Sequence, residues 1–139
     1  MNDLLPVSTN LQATLLVGAI LVIDDDWGIR EALTDLLGEI TNRLVYTARN
    51  GREGVELMRQ KHHLICLILL DMNMPLMNGE QTYAKLQEIA PKTKVIVSTS
   101  LSQTEVFQRF APNPSPPILH KPYHVDTLST MVRLALGMM

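Results

Sequence analysis

The sequence predicts an α/β fold, a doubly wound parallel sheet built from five βα units. Two observations carry this expectation. Five short apolar runs alternate with five stretches of helical periodicity along the chain. The runs are continuously apolar rather than alternating, as expected of strands covered by helices on both faces. A third observation points to function: the residues that follow these runs are acidic, hydroxylic or cationic, and they fall where such a sheet places its ligands.

In chain order the strands are expected at Ala19–Ile23, Leu44–Tyr46, Leu67–Leu70, Val95–Val97 and Ile118–Leu119. Ile29, Leu33, Leu36, Leu37 and Ile40 recur at helical spacing and define a first helix. Asp26 is a good N-cap for it and Asn42 a suitable stop. A second helix is expected over Gly51–Lys61, with Val55 and Met58 facing inward. A third covers Gly79–Ala90 and stops before Pro91, which lacks the N–H to continue it. Ser102–Phe110 gives a short fourth helix and Val125–Leu136 a fifth, followed by Gly137. Between the fourth helix and fifth strand lies Pro112-Asn-Pro-Ser-Pro-Pro117, a stiff connection poor in backbone donors.

Composition sets the limits. A chain of 139 residues has the size of one domain, and 46% hydrophobic residues suffice for a core. Aromatics are only 4%, so Leu, Ile, Val, Ala and eight Met must fill it. A net charge of −2 with no basic run argues against direct nucleic-acid binding. The single cysteine, Cys66, excludes an intramolecular disulfide and lies in an apolar run, where a thiol is inert. The apolar stretch Leu11–Ile23 is too short to span a membrane and has no basic residue before it. Residues 1–18 are read as a leader or linker and 19–139 as the domain, in the cytoplasm and without membrane contact. His62 and His63 follow a charged helix end and read as solvated; Trp27 reads as a partly buried helix-start residue.

Chemistry concentrates at the strand ends. Asp24, Asp25 and Asp26 follow the first strand, Asp71 the third, Thr99 and Ser100 the fourth, and Lys121 the fifth. Two carboxylates 4 Å apart repel by ~4 kcal/mol at an effective dielectric near 20. A hard divalent cation offsets that repulsion, and an oxygen-only donor set favours Mg²⁺. Asp26 is better used as a helix cap than as a ligand. A carboxylate nucleophile, a metal, a hydroxyl donor and an ammonium group together suit phosphoryl transfer, where catalysis is mostly positioning and charge stabilisation.

With these residues in hand, the chain resembles the receiver domain of two-component signalling systems. The matching segments are Ile20-Leu-Val-Ile-Asp-Asp-Asp26, Leu69-Leu-Asp-Met-Asn-Met-Pro-Leu-Met-Asn-Gly79, Val95-Ile-Val-Ser-Thr-Ser100 and Leu119-His-Lys-Pro-Tyr123. The pattern is most similar to the C-terminal receivers of hybrid sensor histidine kinases. The resemblance implies a flavodoxin-like sheet of order 2-1-3-4-5. It implies phosphorylation at Asp71, with Mg²⁺ held by Asp24, Asp25, Asp71 and the carbonyl of Asn73. Thr99 and Lys121 would bind the phosphoryl oxygens, Ser100 would leave the donor access, and the Lys121–Pro122 bond would be cis. The implied partner is a sensor histidine kinase or a histidine phosphotransfer protein, and the implied output face is the fourth helix, fifth strand and fifth helix, through which a homodimer could form.

The chain departs from the family at three points. Ile118 stands where an aromatic switch residue is usual, the proline run replaces a Gly-Ala turn, and Leu101 is apolar two residues after Thr99. Three other readings compete: a pseudo-receiver that only docks partners, a haloacid-dehalogenase-like phosphatase and a flavodoxin-like cofactor binder. The phosphatase would need a second acid two residues after Asp71, and that residue is Asn73. A cofactor-binding flavodoxin would need a hydroxyl- and glycine-rich loop after the first strand, where three aspartates stand.

Overall fold

The computed structural model describes residues 18–138. The leader expected over residues 1–18 therefore lies outside the described residues, apart from Gly18. Five strands form one parallel sheet: β1 (Ala19–Ile23), β2 (Val45–Ala48), β3 (Ile65–Asp71), β4 (Lys94–Thr99) and β5 (Ile118–His120). Their order is β2-β1-β3-β4-β5, as the resemblance implied. The helices are α1 (Trp27–Thr41), α2 (Gly51–Lys61), α3 (Gly79–Ile89), α4 (Gln103–Phe110) and α5 (Val125–Ala135). Among the described residues no helix is long and apolar enough to cross a membrane.

Alternation along the central strands splits the core into two layers. Leu21, Ile23, Ile68, Leu70 and Val97 face α2, α3 and α4 through Val55, Met58, Leu86 and Val106. Ile20, Val22, Leu67, Leu69 and Ile96 face α1 and α5 through Leu33, Leu37, Leu128 and Val132. Both layers are aliphatic, with Met58, Met72 and Met74 filling the first.

The helix ends follow their capping residues. Asp26 accepts from the Ile29 N–H at 3.0 Å, and Asn42 closes α1 in the left-handed region at φ 55°. Asn78–Gln81 and Ser102–Glu105 form reciprocal capping boxes on α3 and α4. Four strands run further than their apolar stretches, β5 by one residue to His120. β2 continues to Ala48, β3 to Asp71 and β4 to Thr99, because ladder bonds use the backbone and tolerate a polar side chain at the sheet's end. At the other edge the β4–β5 ladder pairs only Val97, Ser98 and Thr99. The proline run limits it: Val97 N–H reaches the Pro117 carbonyl at 2.9 Å, while prolines have no N–H to return. The Ala111–Pro112 bond is cis, which the sequence did not lead us to expect, and so is Lys121–Pro122, which the resemblance did.

His62 and His63 are exposed, in a short 3-10 turn. Trp27 is not partly buried: it is 69% exposed, because the inward stripe of α1 begins two residues later, with Ile29 and Leu33 on the opposite face.

Candidate acidic site at the carboxyl edge of the sheet

β1 and β3 are neighbours, so their carboxyl ends bring Asp24, Asp25 and Asp71 to one place. Each offers a carboxylate oxygen, and these oxygens all lie within 4.8 Å of one another. Asp24 and Asp71 are buried and Asp25 is exposed. Asp26, though adjacent, turns away to cap α1, and its N–H donates to Asp24 Oδ1 at 2.9 Å.

The loop after β3 is held tightly. Asn73 N–H donates to Asp71 Oδ1 at 3.2 Å. Gly79 N–H donates to the Met72 carbonyl at 3.0 Å, and a Cβ on Gly79 would meet Met72 Cα at 2.7 Å. Glycine is thus what allows α3 to start against the backbone beside Asp71. Leu76, in the same loop, is exposed and has φ 72°, an uncommon conformation for a branched side chain.

Lys121 leaves β5 and reaches across the site. Its Nζ lies 3.5 Å from Asp24 Oδ2 and 3.5 Å from Asp71 Oδ1. Its N–H donates to the Thr99 carbonyl at 2.7 Å, which ties the lysine's backbone to the end of β4. Thr99 is fully buried, and its Oγ1 accepts from Leu101 N–H at 3.1 Å; Ser100 is exposed. Ile118 is half-buried, pairs with Val97 and packs against the core layer of α2, α3 and α4.

The charges do not balance. Three carboxylates face one ammonium group, and Asp71 records the excess: burial, then repulsion from Asp24, push its carboxyl up to about 6. Lys121 and the Asn73 N–H pull the other way and do not prevail. Burial disfavours the Lys121 charge, but Asp71 and Asp24 outweigh it and hold that ammonium above its ordinary range. Burial likewise raises the Tyr123 hydroxyl. An oxygen-only set with uncompensated negative charge fits a hard divalent cation such as Mg²⁺.

Of the residues singled out in the sequence, Asp24, Asp25, Asp71, Asn73, Thr99 and Lys121 converge here. Ile118 sits at the start of β5, two residues before that strand's end, paired with Val97. Two contacts were not foreseen. Arg30 Nη1 donates to the Asp24 carbonyl at 2.8 Å, bracing the acidic loop from the first turn of α1. His120 Nδ1 lies 3.2 Å from the Leu101 carbonyl. Only an Arg one turn after three aspartates hinted at the first, and nothing local marks the second. Cys66, away from this edge, is half-buried with its thiol pushed up by burial, in keeping with an unreactive role.

Comparison with known proteins identifies relatives of this chain. The family model described as response regulator receiver domain matches residues 20–133. Over 122 residues the chain is 27% identical to the probable chemotaxis protein CheY of Rhizobium etli, covering 85% of this chain and 92% of that protein. Over 85 residues it is 39% identical to a protein-glutamate methylesterase/protein-glutamine glutaminase of Archaeoglobus fulgidus, covering 60% of this chain. The matched stretch is only 23% of that protein's length. A response regulator receiver domain protein from Clostridium thermocellum superposes with a TM-score of 0.76 at 25% identity, over 86% of this chain and 94% of that one. The chain therefore belongs to the response regulator receiver domain family, the signalling domains of two-component systems.

Proposed function

We propose that Asp71 accepts a phosphoryl group from a phosphohistidine on a sensor histidine kinase or a histidine phosphotransfer protein. The observation that carries this reading is the placement of the Asp71 carboxylate. It is buried at the end of β3, within 4.8 Å of two further carboxylates and 3.5 Å from Lys121 Nζ. An Asp71 oxygen attacks phosphorus as the phosphorus–nitrogen bond breaks, and the electron pair of that bond returns to the donor imidazole. Asp24, Asp25, Asp71 and the Asn73 carbonyl are the residues that would hold Mg²⁺. When bound, Mg²⁺ supplies the positive charge that the three acids and the phosphoryl oxygens require. Lys121 turns its ammonium from Asp71 to a phosphoryl oxygen, and Thr99 turns its hydroxyl to another. Exposed Ser100 leaves the approach open.

In this reading the chain is a self-phosphorylating switch rather than a turnover enzyme. Phosphorylation shifts a two-state equilibrium read out on α4, β5 and α5, the face through which a second copy would also pair. The domain runs over 19–139 with residues 1–18 as leader or linker, and the setting is the cytoplasm. The test is Mg²⁺-dependent binding of beryllofluoride, a phosphoryl mimic, followed by fluorine NMR. A bound signal is expected in the wild type and not in Asp71→Asn. A protein that only docks partners would give no bound signal in either.

A further inference from the structure

His120 ends β5 and lies opposite Thr99 in the ladder. Its Nδ1 contacts the Leu101 carbonyl at 3.2 Å, and since a carbonyl can only accept, Nδ1 carries the proton in that bond. Leu101 N–H donates in turn to Thr99 Oγ1 at 3.1 Å. Lys121 N–H closes the circuit on the Thr99 carbonyl at 2.7 Å. Thr99, Leu101, His120 and Lys121 therefore form one ring of contacts across the ends of β4 and β5. Its inner member, the Thr99 hydroxyl, is fully buried, and its outer member, His120, is exposed.

The outer member looks onto a groove of about 500 Å³ between α4 and β5. Gln103 and Phe107 line it from α4, and Pro117, Ile118 and His120 from the strand side. Phe107 is 49% exposed there, a large ring with room to repack. Ile118 shares the groove but has no polar atom with which to sense the β4–α4 turn.

We propose that His120 is a positioning residue that couples the Thr99 hydroxyl to the α4–β5 groove, a connection that Ile118 cannot make. The proposal rests on Asp71 being the phosphoacceptor. When Thr99 Oγ1 rotates to donate to a phosphoryl oxygen, Leu101 N–H loses its acceptor. The Ser100–Leu101 turn then shifts, the Leu101 carbonyl carries the His120 ring with it, and Phe107 and Ile118 repack in the groove.

The test is NMR of the full chain with Mg²⁺ and beryllofluoride, in the wild type, His120→Phe and His120→Asn. Phenylalanine keeps a ring without the donor; asparagine keeps a donor near the position of Nδ1 without the ring. All three proteins are expected to bind the mimic with similar affinity. In the wild type Phe107 and Ile118 signals move and exchange of the Leu101 amide quickens. His120→Phe loses most of the Phe107 and Ile118 movement, and His120→Asn restores it. Full movement in His120→Phe, equal loss in both variants, or unchanged Leu101 exchange in the wild type overturns the proposal while the phosphoacceptor reading stands. Failure of the wild type to bind the mimic overturns both.

Discussion

Asp71 is held at a cost, and that cost has a measurable pH dependence. Its carboxyl is pushed up to about 6 in the folded protein, first by burial and then by Asp24, against an ordinary value of 3.8. Between those values the folded state holds the proton that the unfolded state has lost, so stability falls as pH rises. The penalty is absent below the lower value and complete above the higher one, where it is on the order of 2–3 kcal/mol. Without divalent metal, Asp71→Asn should therefore unfold at a higher temperature than wild type at pH 7 and show little gain at pH 4. An equal gain at both pH values would contradict the account. Adjacent aspartates should separate by role. Asp26→Ala removes the cap on Ile29 N–H and should cost about 1 kcal/mol while leaving the Mg²⁺ response intact. Asp25→Ala should abolish the response with little change in stability. Trp27 reports it, since it starts α1 directly after the acidic loop, and its fluorescence is expected to change on adding Mg²⁺. A flat titration in the wild type would count against the metal site.

At the scale of elements, the start of α3 decides where Asp71 points. The Gly79 position has no room for a Cβ against the Met72 backbone, which cannot swing away as a side chain could. Gly79→Ala should cost roughly 1–3 kcal/mol in urea denaturation and weaken Mg²⁺ binding as well, because the displaced backbone carries Asp71. Stability lost with metal binding intact would mean that α3 adjusts without moving the loop. Helix limits were readable because Asp26, Asn42, Pro91 and Gly137 are residues whose own chemistry starts or stops a helix. The limits of β1 were read correctly and the start of β2 one residue early; the carboxyl ends of the other strands were read short by one or two residues, since polar Thr47, Asp71, Ser98, Thr99 and His120 continue ladders whose bonds are all backbone. The exposure of Trp27 depends on which way the first turn of α1 faces, and the cis Ala111–Pro112 bond depends on its surroundings. Neither is encoded in the adjacent residues.

For the molecule as a whole, five alternating units gave the topology, and the topology placed the acidic, hydroxyl and ammonium groups along one sheet edge. The membership of that site was legible because each group directly ends or follows a strand. The links leading outward were not, since Arg30 to Asp24 and His120 to Leu101 exist only once helix and strand are packed. On the proposed outward route Ile118 is aliphatic, and His120 Nδ1 meets the Leu101 carbonyl instead. The central claim remains the chemistry of Asp71. Its most direct measurement is the intact mass of the protein after incubation with Mg²⁺ and acetyl phosphate, with peptide mapping of the product. One added phosphoryl group on Asp71, dependent on Mg²⁺ and missing from Asp71→Asn, is the predicted result; an unmodified wild-type protein, or the same modification in Asp71→Asn, would contradict it.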